Sequence, residues 1–140
     1  MAPAKKSSKP PKNGPWKGYF TDGKLESTGS YKDGKKHGSW KFYYRNGLLK
    51  ATGKLDLGKF SGLWKWWGEN GQLRQQGSFE DGQQVGLWRR WLANGQLYDE
   101  GKYEVGQKIG MWKTFGKDGK LKREKVFTVM AGKKAAVKSK

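Results

Sequence analysis

The chain has 140 residues, with 30 Lys and Arg against 12 Asp and Glu, a formal charge of +18, one His and no Cys. Without cysteine there is no disulfide framework, no thiol nucleophile and no Cys-ligated zinc or iron–sulfur site. Apolar residues make up only 34%, and eight Trp, six Tyr and six Phe are among them; 22 Gly accompany them, which describes a thin aromatic-and-glycine structure and not a thick aliphatic core.

Residues 1–13 read as a basic flexible tail, because Lys5, Lys6, Lys9 and Lys12 stand among Pro and Ser with no acid. The tail lacks the apolar segment of a signal peptide, and no run in the chain approaches the roughly 20 residues of a membrane helix, so a cytoplasmic protein is expected.

From residue 14 to 129 the sequence is periodic. Trp16, Trp40, Trp64, Trp88 and Trp112 are 24 residues apart, each with a Gly two before it (Gly14, Gly38, Gly62, Gly86, Gly110) and an aromatic three after it (Tyr19, Tyr43, Trp67, Trp91, Phe115). Asp-Gly or Asn-Gly follows in every unit, then Leu25, Leu49, Leu73, Leu97 and Leu121. Gly29, Gly53, Gly77 and Gly101 come next, with Lys125 breaking the series, and a last turn Gly falls at 34, 58, 82 and 106.

Asn-Gly between two alternating runs predicts a hairpin with a tight type I′ turn, since both residues tolerate positive φ. With Asn46-Gly47 as a two-residue loop, Tyr44 faces Leu49, Phe42 faces Ala51 and Trp40 faces Gly53. Each Trp is then expected to cover the Gly of its own hairpin. Five such hairpins predict an all-β repeat protein, a single elongated twisted antiparallel sheet of about ten strands and some ~45 Å wide.

Alternation sorts the second hairpin into two faces. Trp40, Phe42, Tyr44, Leu49, Gly53 and Leu55 form an apolar face; Lys41, Tyr43, Lys50, Thr52 and Lys54 form a basic one. A cation follows every repeated Trp, at Lys17, Lys41, Lys65, Arg89 and Lys113. With Tyr19, Tyr43, Trp67, Trp91 and Phe115 these cations make a candidate polyanion-binding face, in which rings stack on bases and cations meet phosphates. The same residues also fit cross-strand cation–π pairs, Tyr43 with Lys50, Trp67 with Arg74 and Phe115 with Lys122. The Trp16, Trp40, Trp64, Trp88 and Trp112 face is the structural or partner face: one layer leaves it uncovered unless twist, a terminal helix, a homodimer contact or a protein partner buries it.

The pattern Gly-x-Trp-x-x-aromatic, Asn/Asp-Gly-x-Leu, Gly-x-Tyr/Phe resembles the MORN-type repeat, and most closely the bacterial YwqK-type antitoxin repeat, over about residues 14–127 in five 24-residue units. The resemblance implies a non-catalytic scaffold or contact surface for proteins and lipids. It carries over no catalytic residue.

The residues agree with that. Asp22, Asp33, Asp81 and Asp118 precede glycines as turn formers, His37 stands alone in a turn between hairpins, and no phosphate-loop motif occurs. No enzyme activity, cofactor, metal or small-molecule substrate is expected. The last residues, 130–140, form a second basic tail in which Lys133, Lys134, Lys138 and Lys140 join Lys5, Lys6, Lys9 and Lys12 as candidate polyanion-binding tails. A polyanion, above all nucleic acid or ribonucleoprotein, is the leading expected partner, with a protein partner or an anionic membrane surface as alternatives. The segment from Val126 to Met130 reads as strand to Val129 and then tail, with a short capping helix as the other reading.

Overall fold

The computed structural model describes residues 6–128. It contains ten strands: β1 (Gly14–Tyr19), β2 (Leu25–Lys32), β3 (Lys35–Tyr43), β4 (Leu49–Asp56), β5 (Lys59–Trp67), β6 (Leu73–Glu80), β7 (Gln83–Trp91), β8 (Leu97–Glu104), β9 (Gln107–Phe115) and β10 (Leu121–Phe127). Each pairs antiparallel with its neighbour in chain order, giving one open sheet of hairpins. The final strand ends at Phe127, so Val126 and Phe127 are strand residues; Val129 and Met130 lie outside the described residues.

The type I′ turns are not at the Asn-Gly positions where the sequence places them. Asp33-Gly34, Leu57-Gly58, Asp81-Gly82 and Val105-Gly106 have positive φ at both residues and join directly paired positions such as Lys32 and Lys35, so the type I′ turns lie between the repeat hairpins. At Asn46-Gly47 only the glycine has positive φ. There Gly47 N–H donates to Tyr44 O at 2.9 Å and Tyr44 N–H to Leu48 O at 2.9 Å, a three-residue loop with a glycine bulge. Asn46 contributes through its side chain, whose Oδ1 accepts from Leu48 N–H at 2.9 Å.

A three-residue loop shifts the register by one, and the strands correct it. Tyr43, not Tyr44, pairs with Leu49; a bulge then absorbs Lys50, and from there Phe42 meets Ala51 and Trp40 meets Gly53 as the sequence predicts. The interior pairing is right although the turn that was to produce it is different.

The glycine two residues before each Trp makes the second bulge. Between the pairs Ser30–His37 and Thr28–Lys41, Gly38, Ser39 and Trp40 stand against Gly29 alone, with Gly38 at φ 83°. This bend swings the indole backward over the preceding hairpin. Trp40 therefore covers Gly29, Trp64 covers Gly53, Trp88 covers Gly77 and Trp112 covers Gly101. The expected cover within one hairpin is corrected to a cover between hairpins. Each indole N–H fastens to the same preceding strand, Trp40 to Ser30 O at 3.0 Å and Trp64 to Lys54 O at 2.8 Å.

The apolar face needs no second layer to bury its tryptophans. Trp40, Trp64, Trp88 and Trp112 are 0%, 1%, 3% and 7% exposed. Strand backbone without a side chain lies beneath each ring, and the residue four positions earlier lies against it, as with Lys36 on Trp40 at 5.4 Å and Phe60 on Trp64 at 4.7 Å. Neighbouring aromatics close the sides: Phe42 stacks on Trp40 at 5.7 Å and on Trp64 at 6.3 Å, and Tyr31 meets Trp16 and Trp40 edge-on. Each such hairpin supplies half of its neighbour's core, which is the energetic coupling of a repeat array.

Candidate binding surface

On the second face the repeated cations fall in one row across the whole sheet. Partners in register share a face, and the pairings run Lys17–Thr28–Lys41–Thr52–Lys65–Gln76–Arg89–Glu100–Lys113–Glu124. Two strands separate successive cations, a repeat of about 9–10 Å. The row is not uniform. From β1 to β6 the residues between cations are neutral; from β8 they are acids, and Arg89 Nε bonds Glu100 Oε1 at 2.8 Å. Lys17, Lys41 and Lys65 thus have no acid beside them in the row, whereas Lys113 stands between Glu100 and Glu124.

The repeated aromatics pair with the repeated leucines: Tyr19 with Leu25, Tyr43 with Leu49, Trp67 with Leu73, Trp91 with Leu97 and Phe115 with Leu121. The expected cation–π pairs Tyr43–Lys50, Trp67–Arg74 and Phe115–Lys122 are displaced by the bulge that follows the turn. Lys50 lies over Tyr44 at 5.6 Å, and Arg74 Nε donates to Trp91 O at 2.9 Å.

A third row on this face escaped the sequence reading. Asn13, His37 and Ser61 precede Val85 and Ile109 at one repeat position; Pro15 and Ser39 precede Leu63, Leu87 and Met111 at the other. Leu63, Leu87, Met111 and Val126 are 44–51% exposed. The second face is basic and polar at its first end; at its last end it is largely apolar, with acids beside Arg89 and Lys113 in the cation row and Lys102 in register between Leu87 and Ile109. Comparing equivalent positions for their differences, not their agreement, would have found it.

His37 lies in β3, not in a turn, and its Nδ1 accepts from Leu57 N–H at 3.1 Å. Asn13 does the same for Asp33 N–H at 3.0 Å in the preceding repeat. Both side chains support the first residue of a type I′ turn, so the single histidine has a structural task.

Of the tail lysines, Lys6, Lys9 and Lys12 are described; Lys5, Lys133, Lys134, Lys138 and Lys140 lie outside the described residues. Lys12 O accepts from Gly34 N–H at 2.8 Å, as Lys36 O does from Gly58 N–H, so the repeat lattice already holds this backbone. Ser7 Oγ accepts from Tyr19 N–H at 2.7 Å and occupies backbone at the open edge of β1. On the first face, Trp40, Trp64, Trp88 and Trp112 are too deeply covered to be a contact surface themselves; Trp16 is half-buried.

Among the described residues no three His, Asp or Glu side chains gather as a metal ligand set, and no helix is long and apolar enough to cross a membrane. A one-layer array of hairpins with its chemistry displayed on open faces defines the class: an all-β repeat protein of the binding-module kind. The chain belongs to the MORN repeat variant family, whose model matches residues 12–33, 36–55, 60–81 and 84–104. Repeats of this family are generally non-catalytic binding modules. The hairpin β9–β10 lies beyond the four matched units. No curated protein matches the chain.

Proposed function

We propose that this chain is a five-unit, non-catalytic binding module that takes a polyanion, a nucleic-acid strand, across the first end of its second face. One observation carries the reading: Lys17, Lys41 and Lys65 stand in register with Thr28, Thr52 and Gln76, so three cations meet the solvent with no acid beside them in the row. Tyr19, Tyr43 and Trp67 lie two residues along the same strands, in place to stack on bases while the lysines hold phosphates. Arg89 and Lys113 drop out of the site, because Arg89 is paired with Glu100 and Lys113 stands in register between Glu100 and Glu124. The lysines at the two ends add attraction without register.

The test is binding of a labelled oligonucleotide to the full chain by fluorescence anisotropy over a salt series. Lys17→Gln with Lys41→Gln and Lys65→Gln should flatten the slope of log K against log salt by about 2, at roughly 0.7 per lost contact with a single strand. Arg89→Gln with Lys113→Gln should change it little. Equal losses from both sets, or none from the first, would remove the row from the site.

A protein partner is the second reading, favoured by the exposed line Leu63, Leu87, Met111 and Val126 at the other end of this face. An antitoxin-like role, which the YwqK-type likeness suggests, or a homodimer would use this end and tolerate salt. It would fail on Leu87→Gln and Met111→Gln. Binding to vesicles rich in anionic lipid, but not to the oligonucleotide, would transfer the basic end to a membrane surface.

A further inference from the structure

The first face also changes along the chain. Phe42 and Trp66 fill one position in the second and third hairpins, stacked between successive tryptophans. The equivalent residues in the fourth and fifth are Arg90 and Thr114, and the aromatic stack stops. The space left beside Trp112 is a cavity of about 440 Å³. Its wall carries four cations, Arg90, Lys108, Arg123 and Lys125. Three of these positions change character together, since Arg123 stands where Ser27, Ala51, Gln75 and Asp99 stand in other units, and Lys125 where a glycine stands in all the others.

One acid faces them. Asp99, 5% exposed, takes both of its bonds from Arg90, at 2.6 Å to Nη2 and 3.0 Å to Nε. Those hydrogen bonds hold the Arg90 guanidinium above its already high ordinary range, against the opposing effect of burial. Arg90 and Asp99 thus cancel, and Lys108, Arg123 and Lys125 remain without an ion-pair partner among the described salt bridges. Lys108 Nζ lies 4.6 Å from the Trp112 ring and 5.4 Å from the Phe127 ring; Lys125 Nζ lies 5.0 Å from the same Phe127 ring. Two ammonium groups share one aromatic floor, with a guanidinium fork nearby.

We infer that this cleft is an anion site for the diphosphate group of a small soluble molecule. Two linked phosphates supply two anionic centres for the two ammonium groups, and Arg123 can grip phosphate oxygens bidentately. Lys36 tests the alternative in which such a lysine only lids its tryptophan. It covers Trp40 as Lys108 covers Trp112, but its neighbours at the positions of Arg123 and Lys125 are Ala51 and Gly53. The site lies on the opposite face from the polyanion row and does not depend on it. It adds a small-molecule ligand to a chain whose sequence announces none.

The experiment is a calorimetric titration of the full chain with inorganic pyrophosphate at fixed moderate salt, with orthophosphate as comparison. One saturable site is expected, weaker for orthophosphate. Lys108→Gln with Lys125→Gln should weaken it by about tenfold or more, the size of a lost charge-assisted bond. Arg123→Gln, on an exposed edge strand, gives the same answer if the double variant fails to fold. Lys36→Gln and the Lys17, Lys41, Lys65 triple variant should leave it unchanged. Absence of a saturable site, equal affinity for the two anions, or an unchanged constant in folded Lys108→Gln/Lys125→Gln would overturn the assignment. So would loss in the triple variant, which would trace the heat to the other face.

Discussion

Gly53→Ala puts one methyl group where the indole of the next hairpin lies. A Cβ built on Gly53 meets Trp64 Cγ at 2.5 Å and its Cδ2 and Cε2 closer still. Carbon contacts settle near 3.5–4.0 Å and the nearest, Trp64 Cδ2, lies at 2.3 Å, so the ring must withdraw by about 1.2–1.7 Å. Trp64 has little room: it is 1% exposed, bonded to Lys54 O, with Phe60 at 4.7 Å on one side and Trp66 at 5.8 Å on another. Overpacking of this kind costs about 1–3 kcal/mol, and full expulsion of a buried Trp about 3–5 kcal/mol, so about 2–4 kcal/mol is expected. For a chain of this size the melting midpoint should fall by roughly 8–16 °C. Circular dichroism melts measure it, with Lys125→Ala as the matched control, because the same repeat position there has no following tryptophan; its cost should stay under about 1 kcal/mol. A double-mutant cycle identifies the ring. Trp64→Leu should relieve Gly53→Ala by more than about 1 kcal/mol, and Trp40→Leu should not. An unchanged midpoint, or relief by Trp40→Leu, would refute the packing between hairpins.

Val105 opens a type I′ turn at φ 48°, which a β-branched residue adopts only under strain, while Asp33 and Asp81 fill the same position at 51° and 54°. Val105→Asn should stabilise the fold by about 0.5–1.5 kcal/mol, and a lower midpoint would show the turn differently built. Arg90→Met leaves Asp99 buried without its partner; with the Arg90 side chain half exposed the cost is discounted to about 1–3 kcal/mol, and denaturant melts showing no loss would contradict the pairing. Burial raises the Tyr103 hydroxyl above its ordinary value of 10.0, and burial with the nearby Glu26 carboxylate raises Tyr31 likewise. Above pH 10 the unfolded chain then loses protons that the folded chain keeps, so stability falls as pH rises through and beyond that point. Tyr103→Phe should make the alkaline decline shallower, and an unaltered profile would remove Tyr103 from it.

The strand count and interior register were legible because the 24-residue period and the alternation within it survive two bulges. The turns were not. Asn-Gly serves a type I′ turn and a three-residue bulged loop equally well, and Leu57 and Val105 disguise real type I′ turns by occupying a position that favours Asp or Asn. The direction in which Trp40 leans was hidden for another reason: Gly38 lengthens β3 against Gly29, and extra residues in a bulge carry no signature in alternation. Lys125 becomes intelligible once that direction is known. A glycine is needed at 29, 53, 77 and 101 only because the following unit's indole rests there; position 136 is Ala, so no sixth indole requires a glycine at 125.

A repeat array is close to translationally symmetric, so a ligand can be placed along it only by the departures from symmetry. Both faces depart at the same point, between the third and fourth hairpins: neutral partners of the cation row give way to acids after Gln76, and the aromatic stack ends at Trp66. The basic row therefore has an end. From Lys17 on β1 to Lys65 on β5 it crosses four strand spacings, about 19 Å, against ~45 Å for the whole sheet. At about 3.4 Å per stacked nucleotide that is roughly six nucleotides. The salt slope of binding should then grow with oligonucleotide length up to about six and change little beyond it, after the constant share of the tails. A slope still rising toward about eleven nucleotides, the length that reaches Lys113 eight strand spacings from Lys17, would mean that Arg89 and Lys113 bind phosphate in spite of Glu100 and Glu124, and that the acids do not terminate the site.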